Sequence, residues 1–95
     1  AYEVASARVA TLGDVELVHI IDANLGELLL DEGQPFAALR RLWRAQVHFA
    51  ELGLLRQELD VLGNLRKACA AVGDVDGERE VEARTEWVQG RLPRA

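Results

Sequence analysis

Methionine is absent from all 95 residues, and cysteine occurs once, at Cys69. A natural chain starts with methionine, so the first absence leads us to expect a processed chain or a piece of a longer one. The second excludes an intrachain disulfide, and with it the small secreted scaffolds that disulfides hold together. The fold must therefore rest on packing. Lysine also occurs once, against ten arginines, a balance we read as genomic base composition and not as chemistry. No stretch approaches the ~18 uncharged apolar residues that a membrane span needs. The N-terminal residues lack the basic head and apolar run of a signal peptide. These absences make a cytoplasmic location the expectation.

What is present is ordinary for a folded chain: 49% apolar and 28% charged residues, enough for one modest core and one domain. The net charge of −5 is unevenly placed. Residues 1–34 hold seven acids against Arg8, whereas residues 35–95 hold nine acids and ten bases. No basic stripe is available to neutralise phosphates, so binding of nucleic acid by this chain is not expected.

Gly13, Gly33, Gly53 and Gly73 fall at 20-residue intervals, and the apolar spacing between them is helical. Val18, Ile21, Leu25 and Leu28 form one stripe. Leu55, Leu59, Leu62, Leu65, Cys69 and Val72 form another. Asp14 after Gly13 reads as a helix cap, Pro35 suits a first helical turn, and the later glycines suit helix ends. The pattern predicts helices at about 3–11, 15–32, 35–51, 55–72 and 75–90. Connections this short force consecutive helices to pack antiparallel. Nothing reads as a strand.

A shift of 40 residues aligns the chain with itself without a gap. Ala5 falls on Ala45, Ala10 on Ala50, Gly13 on Gly53, Asn24 on Asn64, Leu25 on Leu65 and Gly33 on Gly73. A fixed period of two helices marks a helical solenoid, whose units bury their apolar faces by stacking. Leu25-Gly26, Leu29, Gly33, Ala38, Leu42 and Ala45 lie at a spacing that resembles a tetratricopeptide repeat. The longer period is similar to the extended repeats of scaffold proteins and of the arms of some large bacterial regulators. The second unit keeps Leu62, Leu65, Cys69 and Gly73 but departs at Arg66, Glu78 and Glu82. Asp22 departs in the first. The resemblance implies an all-α, right-handed antiparallel helix-pair solenoid of about two and a half repeats and five helices. Its parts would be a partial repeat at 1–13, then repeats at 14–53 and 54–92. Ala38 and Ala45 would let helices approach closely, and Leu25, Leu29 and Leu42 would fill the space between layers.

No phosphate-cradling loop, dinucleotide fingerprint or zinc-protease motif occurs. His19 and His48 lie on different predicted helices without a shared acid motif and read as surface or packing residues. Cys69 reads as a small buried hydrophobe. Glu78, Glu80 and Glu82 with Arg79 and Arg84 read as a solvated charged face. Neither catalysis, a metal nor a cofactor is expected.

Asn24 and Asn64 are the most informative pair. Asparagine is a mediocre helix former, yet it occurs mid-helix twice, one period apart. An amide donates and accepts at once, so it can pair with the backbone of an extended peptide. It can equally bond a neighbouring helix, and both readings stay open. The resemblance implies that this position faces a concave groove. On the same face stand Ile20, Ala23, Glu27 and Leu30, then Asp60, Gly63, Lys67 and Ala70. We take Asn24, Asn64, Ile20, Glu27, Leu30 and Lys67 as the candidate binding residues. Helix 15–32 is apolar nearly all round, which predicts burial by other chain or by a second copy. The expected function is non-catalytic protein or peptide binding. The alternatives are a self-associating segment, giving a homodimer, and the sensor arm of a larger bacterial transcription regulator.

Overall fold

The computed structural model describes the backbone of residues 12–93 and the side chains from Val18 to Pro93. The described chain is all-helical: α1 (Leu12–Asp31), α2 (Pro35–Leu52), α3 (Leu55–Val72) and α4 (Val75–Gln89). Five helices were expected and four are present among the described residues; the one expected at about 3–11 lies outside them. No helix in the described region is long and apolar enough to cross a membrane.

One backbone device is used three times. Gly33, Gly53 and Gly73 have φ of 77°, 71° and 76°, a left-handed conformation that would cost a side chain ~1–2 kcal/mol. At each, the glycine N–H and the next N–H turn back onto the helix just ended. Gly53 N–H donates to Ala50 O (3.2 Å) and Leu54 N–H to Phe49 O (2.9 Å). The same pair recurs at Gly73 with Ala70 and Cys69, and at Gly33 with Leu30 and Leu29. These bonds satisfy carbonyls that a helix end leaves open. Gly13 breaks the series, because it and Asp14 lie within α1, which is already helical at Leu12. Asp14 therefore does not cap a helix that starts at Val15. Pro35 occupies the first turn of α2. At α4 the capping residue is Asp74, whose carboxylate accepts from Gly77 N–H at 2.9 Å.

Each helix packs on the next in the chain, and α1 also touches α3. The core runs along the inner faces of α2 (Ala38, Leu42, Ala45, Phe49), α3 (Val61, Leu62, Leu65, Ala68, Cys69) and α4 (Val81, Val88). Trp43 packs against it. Gly26 lets α1 settle on α2: a Cβ there would stand 2.7 Å from Leu42 Cγ.

The apolar stripe of α1 is not in the core. Val18, Ile21, Leu25 and Leu28 are exposed, so α2, α3 and α4 do not supply the cover expected for this helix. Leu25 and its counterpart Leu65 show the reason. Leu65 is fully enclosed by helices on both sides, whereas Leu25 is 37% exposed, since α1 is the edge of the described stack. Leu25 thus fills no space between layers, while Leu42 does.

Two acids are buried instead. Asp22 accepts from Arg41 at 2.9 Å and lies 3.7 Å from Arg44, so α1 and α2 are joined by charge where the repeat pattern has a large apolar residue. Glu58 of α3 is completely buried and accepts from Gln46 of α2 and Arg84 of α4. Arg84 is accordingly drawn out of the solvated face expected for it. It also stacks on Trp87, 4.0 Å from the ring centre, with Arg91 stacked on the same ring at 3.6 Å.

Candidate functional site

Because consecutive helices run antiparallel, α1 and α3 run the same way and lie side by side. They enclose a groove of about 350 Å³. Ile20, Ala23, Asn24 and Glu27 of α1 form one wall, Gln57, Asp60, Val61 and Asn64 of α3 the other, and Phe49 of α2 completes the lining. Both walls follow the i, i+3 or i+4, i+7 spacing that keeps residues on one helix face. The 40-residue shift relates two positions of the walls, Ile20 to Asp60 and Asn24 to Asn64; the other lining positions differ between them.

The lining divides by chemistry. Ile20, Ala23, Phe49 and Val61 are apolar and buried or half-buried, whereas Asn24, Glu27 and Asp60 are exposed. Asn64 is half-buried. Among the described residues, neither asparagine side chain is hydrogen-bonded, and neither Glu27 nor Asp60 forms an ion pair. Among the described residues no basic side chain lines the groove. The arrangement offers apolar surface, amide groups able to donate and accept, and two carboxylates on opposite walls.

Of the six residues singled out from sequence, Asn24, Asn64, Ile20 and Glu27 line this groove. Leu30 and Lys67 do not. Leu30 is half-buried and packs against the core. Lys67 is exposed. Gly63 belongs to a different cleft, between α3 and α4, where Arg66 and Glu82 pair at 3.5 Å. Gln57 was missed. Its signal was its place two helical turns before Asn64, with Asp60 between them.

Two other groupings bring ionisable side chains together. Arg40, Arg41 and Arg44 line a shallow basic cleft with Leu29 and Ala37, and Asp22 engages two of the three. His19 and His48 stack with ring centres 3.9 Å apart and planes 12° from parallel. His19 is buried and its Nδ1 has no hydrogen-bond partner, while His48 Nδ1 lies 3.6 Å from Glu51. Burial, reinforced by the neighbouring His48, holds the His19 pKa below the usual imidazole value. Burial likewise raises the Cys69 thiol, helped by Asp74, Glu78 and Glu80. Among the described residues no three His, Cys, Asp or Glu side chains gather to hold a metal ion. No family model matches the chain, and neither a curated protein nor a solved structure matches it.

Proposed function

We propose that this chain is a non-catalytic, cytoplasmic binding module whose α1–α3 groove holds an extended segment of a partner protein or a peptide. In this reading the four helices are two tetratricopeptide-like units, 14–53 and 54–92, of a right-handed solenoid. The supporting observation is the pair Asn24 and Asn64. They stand one period apart on the same groove, and their amides are not engaged by the described residues. Packed helices repeat about every 10 Å and an extended chain rises ~3.3 Å per residue. The two amides therefore address backbone groups about three residues apart. An extended segment suits them because its N–H and C=O groups are free, whereas a helix has already satisfied its own.

The test is peptide-array binding with wild type, Asn24→Ala and Asn64→Ala. Each lost hydrogen bond is worth ~0.5–1.5 kcal/mol, so each variant binds several-fold more weakly and melts at the wild-type temperature. A lowered melting temperature with unchanged binding would assign the amides to the fold and end this reading.

The exposed stripe Val18, Ile21, Leu25 and Leu28 favours a second reading, self-association through α1. Sedimentation across a hundredfold concentration range decides it. A dimer that Ile21→Glu dissociates supports it, and a monomer throughout rejects it.

A further inference from the structure

Resting on the peptide-binding reading, we infer that the groove selects a cationic segment: an extended stretch with a lysine or arginine facing Glu27 or Asp60, flanked by small or aliphatic side chains. Four observations lead there. Glu27 and Asp60 put one carboxylate on each wall of the groove, about two helical turns apart in the 40-residue register, so an extended segment along the groove passes both. Among the described residues neither has a cation and no base lines the groove. Lys67, the nearest candidate by sequence, is exposed and is not among the lining residues. Finally, the carboxylates rise above apolar surface from Ile20, Ala23, Phe49 and Val61, which suits the long methylene stem of a lysine or arginine beneath its charged head.

The same features reject other occupants. An acidic peptide, a phosphate backbone or an anionic lipid surface would bring negative charge against two carboxylates that no described lining residue offsets. The expected preference is moderate, because both acids are solvated: opposing charge at two exposed positions amounts to about tenfold between a basic and an acidic peptide. It shrinks as salt is raised, since the screening length falls to ~8 Å at physiological ionic strength.

Three peptide pools decide the matter, each with a fixed central residue between randomised flanks: lysine, glutamine or glutamate. Binding is read by fluorescence anisotropy at low and high salt. The lysine pool is expected to bind best, by about tenfold over the glutamate pool at low salt, with the gap closing at high salt. Glu27→Gln and Asp60→Asn should each narrow the gap and together abolish it, leaving the glutamine pool unaffected. Equal binding of all pools, or preference for glutamate, with loss in Asn24→Ala or Asn64→Ala, overturns the charge inference and leaves the groove reading standing. Binding that ignores both asparagines, or no binding by any pool, overturns the groove reading and this inference with it.

Discussion

Arg84 reaches back to Glu58, 26 positions earlier, and engages both oxygens of a carboxylate that has no contact with water. Gln46 donates to the same carboxylate at 2.9 Å, so one buried acid ties α2, α3 and α4 together.

The two partners differ in their access to solvent, and this sets the order of their mutants. Arg84→Met leaves Glu58 buried and unpaired, at a cost of about 3–5 kcal/mol. Glu58→Leu removes the buried charge and leaves an arginine whose side chain is already 32% exposed and can turn to water. It therefore costs less. Urea-unfolding midpoints of the two variants give the ranking, and the reverse order would show that the pair is not buried as described.

Two glycines in helix interiors should answer the same substitution with opposite signs. At Gly26 a methyl group would meet Leu42 at 2.7 Å, so Gly26→Ala should destabilise by ~1–3 kcal/mol through overpacking. At Gly63 nothing lies within 4 Å of an added Cβ. Gly63→Ala should stabilise by ~0.4–1 kcal/mol by restricting the unfolded chain. Thermal melts of both variants check the pair.

Ala38 and Ala45 are fully buried where α2 meets its neighbours. Enlarging either to leucine should cost ~1–3 kcal/mol. Melts unchanged by both substitutions would show that the helices do not approach closely there.

The stacked histidines predict a loss of stability in mild acid. His19 folds in its neutral form, with its pKa held below 6.5 chiefly by burial and then by His48. Its contribution is complete above the unfolded value and is lost as pH falls through 6.5 toward the lower folded one. Asp22 and Glu51 oppose this shift, and Arg44 adds to it. The denaturant midpoint should fall between pH 7.5 and 5.5, with a slope of at most ~1.4 kcal/mol per pH unit from this group. His19→Phe should flatten that slope; an equal slope in the variant would place its origin elsewhere.

The parts of the fold written in local pattern were legible from sequence. The glycines at 33, 53 and 73 mark the three turns, and the small residues Ala38 and Ala45 mark a close packing line. The 40-residue shift brought Asn24 and Asn64 to one register, and the structure places both on one groove. The parts that depend on distant partners were not legible. Glu58 looks like any helix-surface acid until Arg84 and Gln46 are brought beside it. Asp22 looked like a defect in the repeat until Arg41 and Arg44 closed on it. Leu25 and Leu65 share a register, but periodicity tells which face is apolar and not what covers it. Asp14 does not cap at Val15 because the chain is already helical at Leu12.

The Glu58 clasp also divides the molecule mechanically. It binds α2, α3 and α4 into one body, while α1 is held to that body by its packing and by Asp22, with its outer stripe bare. Pulling on the N-terminal end would peel α1 away first and leave the clasped body standing. Since α1 supplies one wall of the groove, its detachment would empty the groove. A ligand bridging both walls would then raise the force needed to peel α1 without touching the strength of the rest, by the ordinary linkage of binding to stability. In the proposed reading, occupancy of the groove would thus become mechanical resistance at a single helix.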